Sequence, residues 1–179
     1  MPELILPTAR VHVSFLAAMA ELEAEGRGGP SDSSMVGQEM RVYGRGWAQE
    51  AKFSRYVREL LDDAREDSPR ASGYVPATTL WWVSGEEYLG RIAIRHRLTP
   101  YLRDYGGHIG YDVRPSARRR GNATAMLAAA LPAARRLGVD PALVTCDQDN
   151  VGSRKVIEAN GGVFDDQRGV KLRYWLPAS

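Results

Sequence analysis

The stretch that decides the fold is Val113-Arg114-Pro115-Ser116-Ala117-Arg118-Arg119-Arg120-Gly121-Asn122-Ala123, which lies between a strand-like segment and a helix-like one. After it, apolar residues recur at spacings of three and four, the pattern of one helical face: Ala123, Met126, Leu127, Ala130, Leu131, Ala134 and Leu137. The first N–H groups of a helix have no intrahelical partners, and the helix dipole adds partial positive charge there. A strand that turns into a helix through an arginine- and glycine-containing loop therefore predicts a site for a phosphate or pyrophosphate.

The loop itself carries residues that suit an anion. Three consecutive arginines, residues 118–120, supply positive charge, and Gly121 permits close approach of the backbone because it lacks a Cβ. Two familiar phosphate loops do not fit, since neither the Lys-Ser/Thr end of a Walker loop nor the pattern G-x-G-x-x-G is present. The alternatives are a solvated charge run or a nucleic-acid patch, but no aromatic residue for base stacking is interleaved with the arginines.

The spacing Arg118-x-x-Gly121-x-Ala123 resembles the R/Q-x-x-G-x-G/A signature of the GCN5-related N-acetyltransferase (GNAT) family, whose loop wraps the pyrophosphate of acetyl-CoA. The preceding segment 109–115 is similar to the family's central strand, which pairs with the pantetheine arm. The resemblance implies that these residues bind the cofactor: Tyr111, Asp112, Val113, Arg118, Arg119, Arg120, Gly121, Asn122, Ala123 and Thr124.

A second motif follows downstream. Asn150-x-x-Ser153 and the residues up to Gly162 look like the family's last motif, N-x-x-A/S-x-x-x-Y-E-x-x-G-F. The resemblance implies that Asn150 contacts the cofactor near its thioester and that Ser153 also binds the cofactor. The family's customary acid for the leaving thiolate is the tyrosine of this motif, but Ile157 stands at that position here.

Because Ile157 cannot donate a proton, Tyr111, Cys146 and water are the candidate acids. Each of the two side chains has a structural alternative. Cys146 suits a small core residue, and Tyr111 should share a strand face with Ile109 and Val113 as a packed tyrosine.

His108 is the candidate general base. Acyl transfer requires a neutral amine, so a group must accept its proton. His108 lies five residues before Val113, where many relatives carry a glutamate, and an unperturbed histidine pKa of about 6.5 suits that role. The alternative is a histidine that caps the mouth of the strand by hydrogen bonding.

Composition narrows the class of protein. The 179 residues fit one domain, 1–179, and the net charge of +2 is too small to indicate nucleic acid or an anionic membrane as partner. A single cysteine excludes a disulfide framework and a cysteine-rich metal site. The longest apolar run is too short to cross a bilayer, and the N-terminus lacks the basic start of a signal peptide. A cytoplasmic protein without a metal is expected.

Hydrophobic periodicity and turn residues predict the elements along the chain. Strands are expected at 3–6, 78–83, 88–95, 108–113, 142–147, 162–165 and 170–176, and helices at 11–25, 47–66, 122–137 and 151–159. Loops are expected at 26–34 and 97–107. This is the order of the GNAT family, an α/β (α+β) fold with a mixed, mostly antiparallel central sheet of about seven strands and helices on both faces. The resemblance covers residues 78–164 as the cofactor-binding core and leaves residues 1–70 as the variable substrate side.

The function implied is that of an N-acetyltransferase, which moves an acetyl group from acetyl-CoA to a primary amine of a small molecule or peptide by direct transfer in a ternary complex. The missing tyrosine leaves a catalytically weak acyl-CoA-binding or sensory module as the alternative. A nucleic-acid-binding domain would need a larger basic face. A homodimer is left open.

The predicted pyrophosphate site can be tested by ligand stabilisation. Acetyl-CoA and CoA should each raise the melting temperature by mass action, whereas adenosine, which lacks the pyrophosphate, should raise it much less. Differential scanning fluorimetry measures the three shifts, and equal shifts from adenosine and CoA would contradict the pyrophosphate assignment.

Overall fold

The computed structural model describes residues 1–177, and its central feature is one mixed sheet of seven strands. The strands are β1 Glu3–Ile5, β2 Ala77–Ser84, β3 Glu87–Arg95, β4 Ile109–Val113, β5 Ala142–Asp147, β6 Val163–Arg168 and β7 Lys171–Leu176. Their order in the sheet is β1-β2-β3-β4-β5-β7-β6. Only β4 and β5 are parallel, and every other neighbouring pair is antiparallel. The predicted fold class is confirmed.

Five α-helices cover the two faces of this sheet within the described chain. They are α1 His12–Ala24, α2 Met35–Trp47, α3 Glu50–Asp62, α4 Asn122–Arg136 and α5 Val151–Ala159. Short 3-10 turns precede α1 and α4, and a π-helical turn, Leu102–Gly106, lies in the predicted loop before β4. The loop between α1 and α2 agrees with the predicted loop at 26–34.

The prediction was wrong for the region before β2. A single helix was expected at 47–66, whereas α2 ends at Trp47 and α3 spans Glu50–Asp62. Helix α2 was missed because its three glycines lower helix propensity. One of them is required, since a Cβ on Gly37 would lie 2.1 Å from the Asp32 carboxylate. Ser34 caps the helix by accepting the Gly37 N–H at 3.1 Å.

Two hydrophobic cores lie on opposite faces of the sheet. Helices α4 and α5 cover one face, where their buried residues include Met126, Leu127, Ala130, Ala134 and Ile157. Helices α1, α2 and α3 cover the other, where the buried residues include Phe15, Val36, Trp47, Phe53, Tyr56 and Trp81. The face under α1–α3 is called the acceptor-side face below, and the face under α4 and α5 is called the α4 face.

A buried ion pair holds α2 and α3 to the sheet. Arg91 of β3 is 2% exposed on the acceptor-side face, and its two terminal nitrogens donate to the two carboxylate oxygens of Glu39 in α2. The Tyr56 hydroxyl of α3 donates to the same carboxylate. Burial opposes the charge of Arg91, but Glu39 holds the pKa of this guanidinium well above its ordinary value. Helix α2 therefore supplies the counter-charge that a buried arginine needs.

Removing that counter-charge should be costly. Glu39→Ala leaves Arg91 buried and uncompensated, and should lower the free energy of unfolding by about 3–5 kcal/mol, the usual cost of breaking a buried pair. Urea denaturation followed by tryptophan fluorescence measures the change. The control is Glu66→Ala, which removes an exposed pair with Arg97 (Nη2–Oε1 2.7 Å) and should change the free energy of unfolding far less, because solvent screens exposed ion pairs. Similar losses in both variants would contradict the assigned role of Glu39.

Candidate active site

The two parallel strands of the sheet separate soon after they meet. Strand β4 pairs with β3 over its whole length, but its only register pair with β5 joins Ile109 to Val144. On its other side, strand β5 is paired with β7 from end to end. Residues 110–113 therefore have no strand partner on the β5 side. This gap is called the β4–β5 opening below, and its backbone groups can bind an extended ligand.

His108 lies at the closed end of the β4–β5 opening. Its backbone N–H donates to the Leu143 carbonyl oxygen at 2.7 Å, and its ring Nδ1 accepts the Leu143 backbone N–H at 2.9 Å. Gly107 permits this approach, since its φ is +66° and a Cβ would lie 2.6 Å from the Leu143 carbonyl oxygen. With Nδ1 as acceptor, the neutral ring carries its proton on Nε2 and has no free lone pair. This geometry fits a histidine that hydrogen-bonds at the mouth of the strand.

The surroundings of His108 also oppose a positive charge on its ring. Burial, together with the positive charges of Arg103 and Arg95, lowers the pKa of His108 to about 4. A ring with this pKa is neutral at pH 7 and accepts a proton weakly. The role of general base therefore stays a prediction, and it requires the ring to leave Leu143.

The phosphate loop presents an uncapped helix start. Gly121 is the N-cap of α4 with φ 77°, and no side chain makes a capping hydrogen bond there. Arg119 also has a positive φ, 62°, which is uncommon for a residue with a Cβ and is typical of functional loops. The first N–H groups of α4, at Asn122, Ala123 and Thr124, are thus left without a side-chain partner, as an anion site requires.

The three arginines of the loop divide into two kinds. Arg118 is held within the fold, because its Nη1 donates to Glu25 at 2.8 Å and its Nε donates to the Val113 carbonyl oxygen at 3.1 Å. Arg119 and Arg120 are exposed and make no ion pair with any residue of the described chain. Two of the three predicted arginines are therefore available to a phosphate.

Asn122 fixes the loop to the sheet. Its Oδ1 accepts the indole N–H of Trp82 at 2.9 Å, and its Nδ2 donates to the Ala117 carbonyl oxygen at 2.8 Å. The side chain of this predicted site residue is thus occupied, and its backbone N–H remains for a ligand. This contact ties the anion site to β2 on the α4 face.

Tyr111, Asn150 and Ser153 come together between β4 and the start of α5. The hydroxyls of Tyr111 and Ser153 lie 2.7 Å apart, and Asn150 caps α5 by accepting the Ser153 N–H at 3.0 Å. Burial raises the pKa of Tyr111 to about 12, against the hydrogen bond from Ser153, so the hydroxyl is protonated at neutral pH. Tyr111 lies 39 positions before Asn150 and 42 before Ser153, so the fold alone joins it to the start of α5.

Cys146 and Ile157 both belong to the core of the α4 face. Cys146 is 4% exposed, and burial raises the pKa of its thiol, which fits the structural alternative of a small core residue. Ile157 is fully buried, at the position that carries the tyrosine in the family motif. A role for Tyr111 or Cys146 as the acid therefore stays a prediction.

Asp112 points to the opposite face from Tyr111. Its carboxylate accepts a hydrogen bond from Arg27 Nη2 at 2.8 Å, and the Nε of the same arginine donates to Asp32 at 3.2 Å. Burial raises the pKa of Asp112, although the charge of Arg27 opposes this. The Asp112 side chain is thus paired within the fold, and its backbone is what the β4–β5 opening offers to a cofactor.

Arg27 was missed by sequence reasoning. It lies in the loop 26–34, which was predicted without any site residue, and it links that loop to the central strand. Asp32, five residues later, is a local partner, but Asp112 is 85 positions away and no local pattern connects the two. The contact depends on the path of the chain between α1 and α2.

Solved structures with a similar fold include acetyltransferases. The ribosomal-protein-S5-alanine acetyltransferase from Vibrio fischeri matches with a TM-score of 0.67 and 10% identity, over 99% of this chain and 93% of that chain. Mycobacterium smegmatis RimJ, in complex with CoA-disulfide, matches with a TM-score of 0.67 and 17% identity, over 99% and 82%. The microcin C7 self-immunity acetyltransferase MccE, in complex with acetyl-CoA and AMP, matches with a TM-score of 0.62 and 12% identity, over 98% and 92%. These likenesses show that the chain shares the fold of these acetyltransferases.

The amino-acid sequence shows to which family the chain belongs. The model of the acetyltransferase (GNAT) domain matches residues 35–163, well over half of the chain. This protein therefore belongs to the GNAT acetyltransferase family, and the predicted resemblance is confirmed. No curated protein is significantly similar to the chain in sequence. The matched region begins at α2, so it includes two helices of the acceptor-side face.

The described residues form neither a metal-ion site of the usual kind nor a membrane-spanning helix. Within residues 1–177, no set of three or more His, Cys, Asp or Glu side chains is placed to hold a metal ion. In the same range, none of the helices combines the length and apolar character that crossing a bilayer requires.

The low pKa of His108 can be measured directly. Ring-nitrogen NMR should give a midpoint for His108 near 4 instead of the ordinary value of about 6.5. Between these values the unfolded state binds more protons than the folded state, so this residue should make the free energy of unfolding rise with pH from about 4 to 6.5 and add no slope above that range. Urea denaturation at several pH values checks the slope.

His108→Asn is the matched variant, because its amide oxygen can still accept the Leu143 N–H while the group no longer titrates. It should lose the slope that His108 contributes. A His108 midpoint near 6.5 in the wild type would contradict the hydrogen-bonded role and favour the general base.

Proposed function

We propose that this protein transfers an acetyl group from acetyl-CoA to the α-amine of a peptide, by direct transfer in a ternary complex. The observation that carries the proposal is the β4–β5 opening, which leads to an uncapped α4 N-terminus beside two unpaired arginines. The ribosomal-protein-S5-alanine acetyltransferase is similar in fold, which supports a peptide or protein acceptor. MccE, solved with acetyl-CoA and AMP, is similar as well, and a small-molecule amine is therefore kept as the second acceptor class.

The cofactor fits the residues that line the opening. The first N–H groups of α4 would hold the pyrophosphate, with Arg119 and Arg120 adding charge. The backbone of residues 110–113 has no strand partner on the β5 side and would bind the pantetheine arm. The thioester would then lie near the Tyr111–Ser153 pair at the start of α5.

The side chains that are free to donate or accept a proton determine how protons are transferred in this mechanism. The Tyr111 hydroxyl is protonated at neutral pH and bonded to Ser153, so this pair can donate a proton to the leaving thiolate. His108 is bonded to Leu143, and Asp112 is bonded to Arg27, which leaves water to accept the amine proton. At pH 7 an α-amine, with a pKa of about 7.7–8.0, has a neutral fraction on the order of one tenth, whereas a lysine amine, with a pKa of about 10.4, has a neutral fraction far smaller than that. The chemistry therefore favours α-amines.

Gly121→Glu tests the cofactor site. A Cβ on Gly121 would meet no atom within 4 Å, so the fold should survive, while the new carboxylate repels a pyrophosphate and the φ of 77° disfavours any side chain. Release of free CoA thiol with a panel of N-terminal peptides should fall at least about 100-fold, the cost of losing anion stabilisation at a preorganised site. Calorimetry should show weakened acetyl-CoA binding.

Gly138→Glu is the matched control, since Gly138 also has a φ of 77° with open space around it but lies at the C-terminal end of α4. Turnover should be kept there. Full turnover by a folded Gly121→Glu enzyme would overturn the placement of the cofactor, and wild-type binding of acetyl-CoA without release of thiol would favour the acyl-CoA-binding module.

A further inference from the structure

Arg95 is an arginine of the acceptor-side face without an acidic partner. It ends β3, and its Nη1 donates to the carbonyl oxygens of Gly106 and Gly107 at 3.0 Å each. No carboxylate of residues 1–177 forms an ion pair with it. Other arginines on this face differ, since Arg91 is paired with Glu39 and Arg27 with two aspartates.

The electrostatic surroundings of Arg95 add to this contrast. Burial lowers the pKa of the Arg95 guanidinium, and the nearby positive charge of Arg91 acts in the same direction. The positive charges of Arg103 and Arg95 also lower the pKa of His108. A half-buried cation without an acidic partner is costly unless an anion completes the site.

The remaining donors of Arg95 can be reached by a ligand. Nε and Nη2 make no hydrogen bond within the described chain, and neither is among its buried unpaired atoms. Nη1 is held by two carbonyl groups, which fixes the plane of the guanidinium. A fixed guanidinium edge with two free N–H groups matches the two oxygens of a carboxylate.

Arg95 also lies close to the expected point of reaction. Its backbone N–H donates to the His108 carbonyl oxygen at 2.7 Å. Its Nη1 is 3.9 Å from the place where a Cβ on Gly110 would lie. The β4–β5 opening begins after Ile109. With a rise of about 3.3 Å per strand residue, the guanidinium is within one or two residue lengths of the start of the opening.

We propose that Arg95 binds a carboxylate of the acceptor, and that this protein therefore selects amines with an acidic group one residue from the reacting nitrogen. This inference rests on the proposed function, since it deepens the choice of acceptor. The carboxylate can be an acidic side chain at the second position of a peptide or the main-chain carboxylate of a dipeptide. The chemistry is the same, and Arg95 acts as a specificity-determining residue.

The test compares matched acceptors. Peptides that begin Ala-Glu and Ala-Gln, both amidated at the C-terminus, differ by one carboxylate, and the free dipeptide Ala-Gln carries only a main-chain carboxylate. The wild type should acetylate one of the carboxylate-bearing acceptors with a kcat/KM about 10- to 100-fold above that for the amidated Ala-Gln peptide, the range of a charge-assisted hydrogen bond. Which acceptor it prefers identifies the source of the carboxylate.

Variants assign the preference to Arg95. Arg95→Gln should abolish it by raising KM for the acidic acceptor, while the amidated Ala-Gln peptide keeps its rate. Arg95→Lys retains the charge but loses the planar fork, so it should keep part of the preference. Arg97→Gln is the matched control, because Arg97 is exposed and paired with Glu66, and it should keep all of it. Acetyl-CoA stabilisation measured on each variant reports whether the fold is intact.

Failure of the two proposals can be told apart. Absence of a preference in the wild type, or equal slowing of all acceptors by both Arg95 variants with intact acetyl-CoA binding, overturns the role of Arg95 and leaves the proposed function standing. Without any turnover, the proposed function fails. In that case calorimetry in the presence of CoA tests Arg95 by comparing the affinities for N-acetyl-Ala-Glu amide and N-acetyl-Ala-Gln amide. The wild type should bind the glutamate compound more tightly, and Arg95→Gln should lose this difference. Equal binding of both compounds by the wild type overturns the inference.

Discussion

The unequal pairing of β4 is the constraint on which the rest of the structure depends. This strand is paired with β3 along its whole length but with β5 only at Ile109, because the Gly107–His108 corner holds the two parallel strands together at one end. Beyond that corner the backbone of β4 is free on one side. The uncapped start of α4 follows within a few residues, so an extended ligand can bind the strand and place its phosphates at the helix.

The acceptor-side face is organised by arginines. Arg91 and Arg27 are each neutralised by carboxylates, and these ion pairs fix α2 and the loop before it against the sheet. On this face, charge pairing therefore adds to the aromatic core in holding the helices against the sheet. Arg95 departs from the pattern, which is why its position beside the opening carries information about the ligand.

The departure of this chain from the family motif has a structural explanation. Ile157 takes the place of the motif tyrosine and is fully packed in the core, where a polar group would be unpaired. The hydroxyls of Tyr111 and Ser153 meet at the start of α5 instead. A hydroxyl group thus comes from the central strand, and the serine to which it is hydrogen-bonded lies on the helix that carries the motif.

The sequence by itself determined the sheet, the order of most elements and the anion loop, because strand alternation, helical spacing and a glycine at a helix start are local patterns. It did not reveal α2, whose glycines hide the helical stripe of Val36, Met40 and Trp47. Only the tertiary structure decided that His108 is bonded to Leu143 and that Arg27 meets Asp112. It also decided that Arg95 has no acidic partner within residues 1–177, since ion pairing and burial depend on residues that the chain brings together from distant positions.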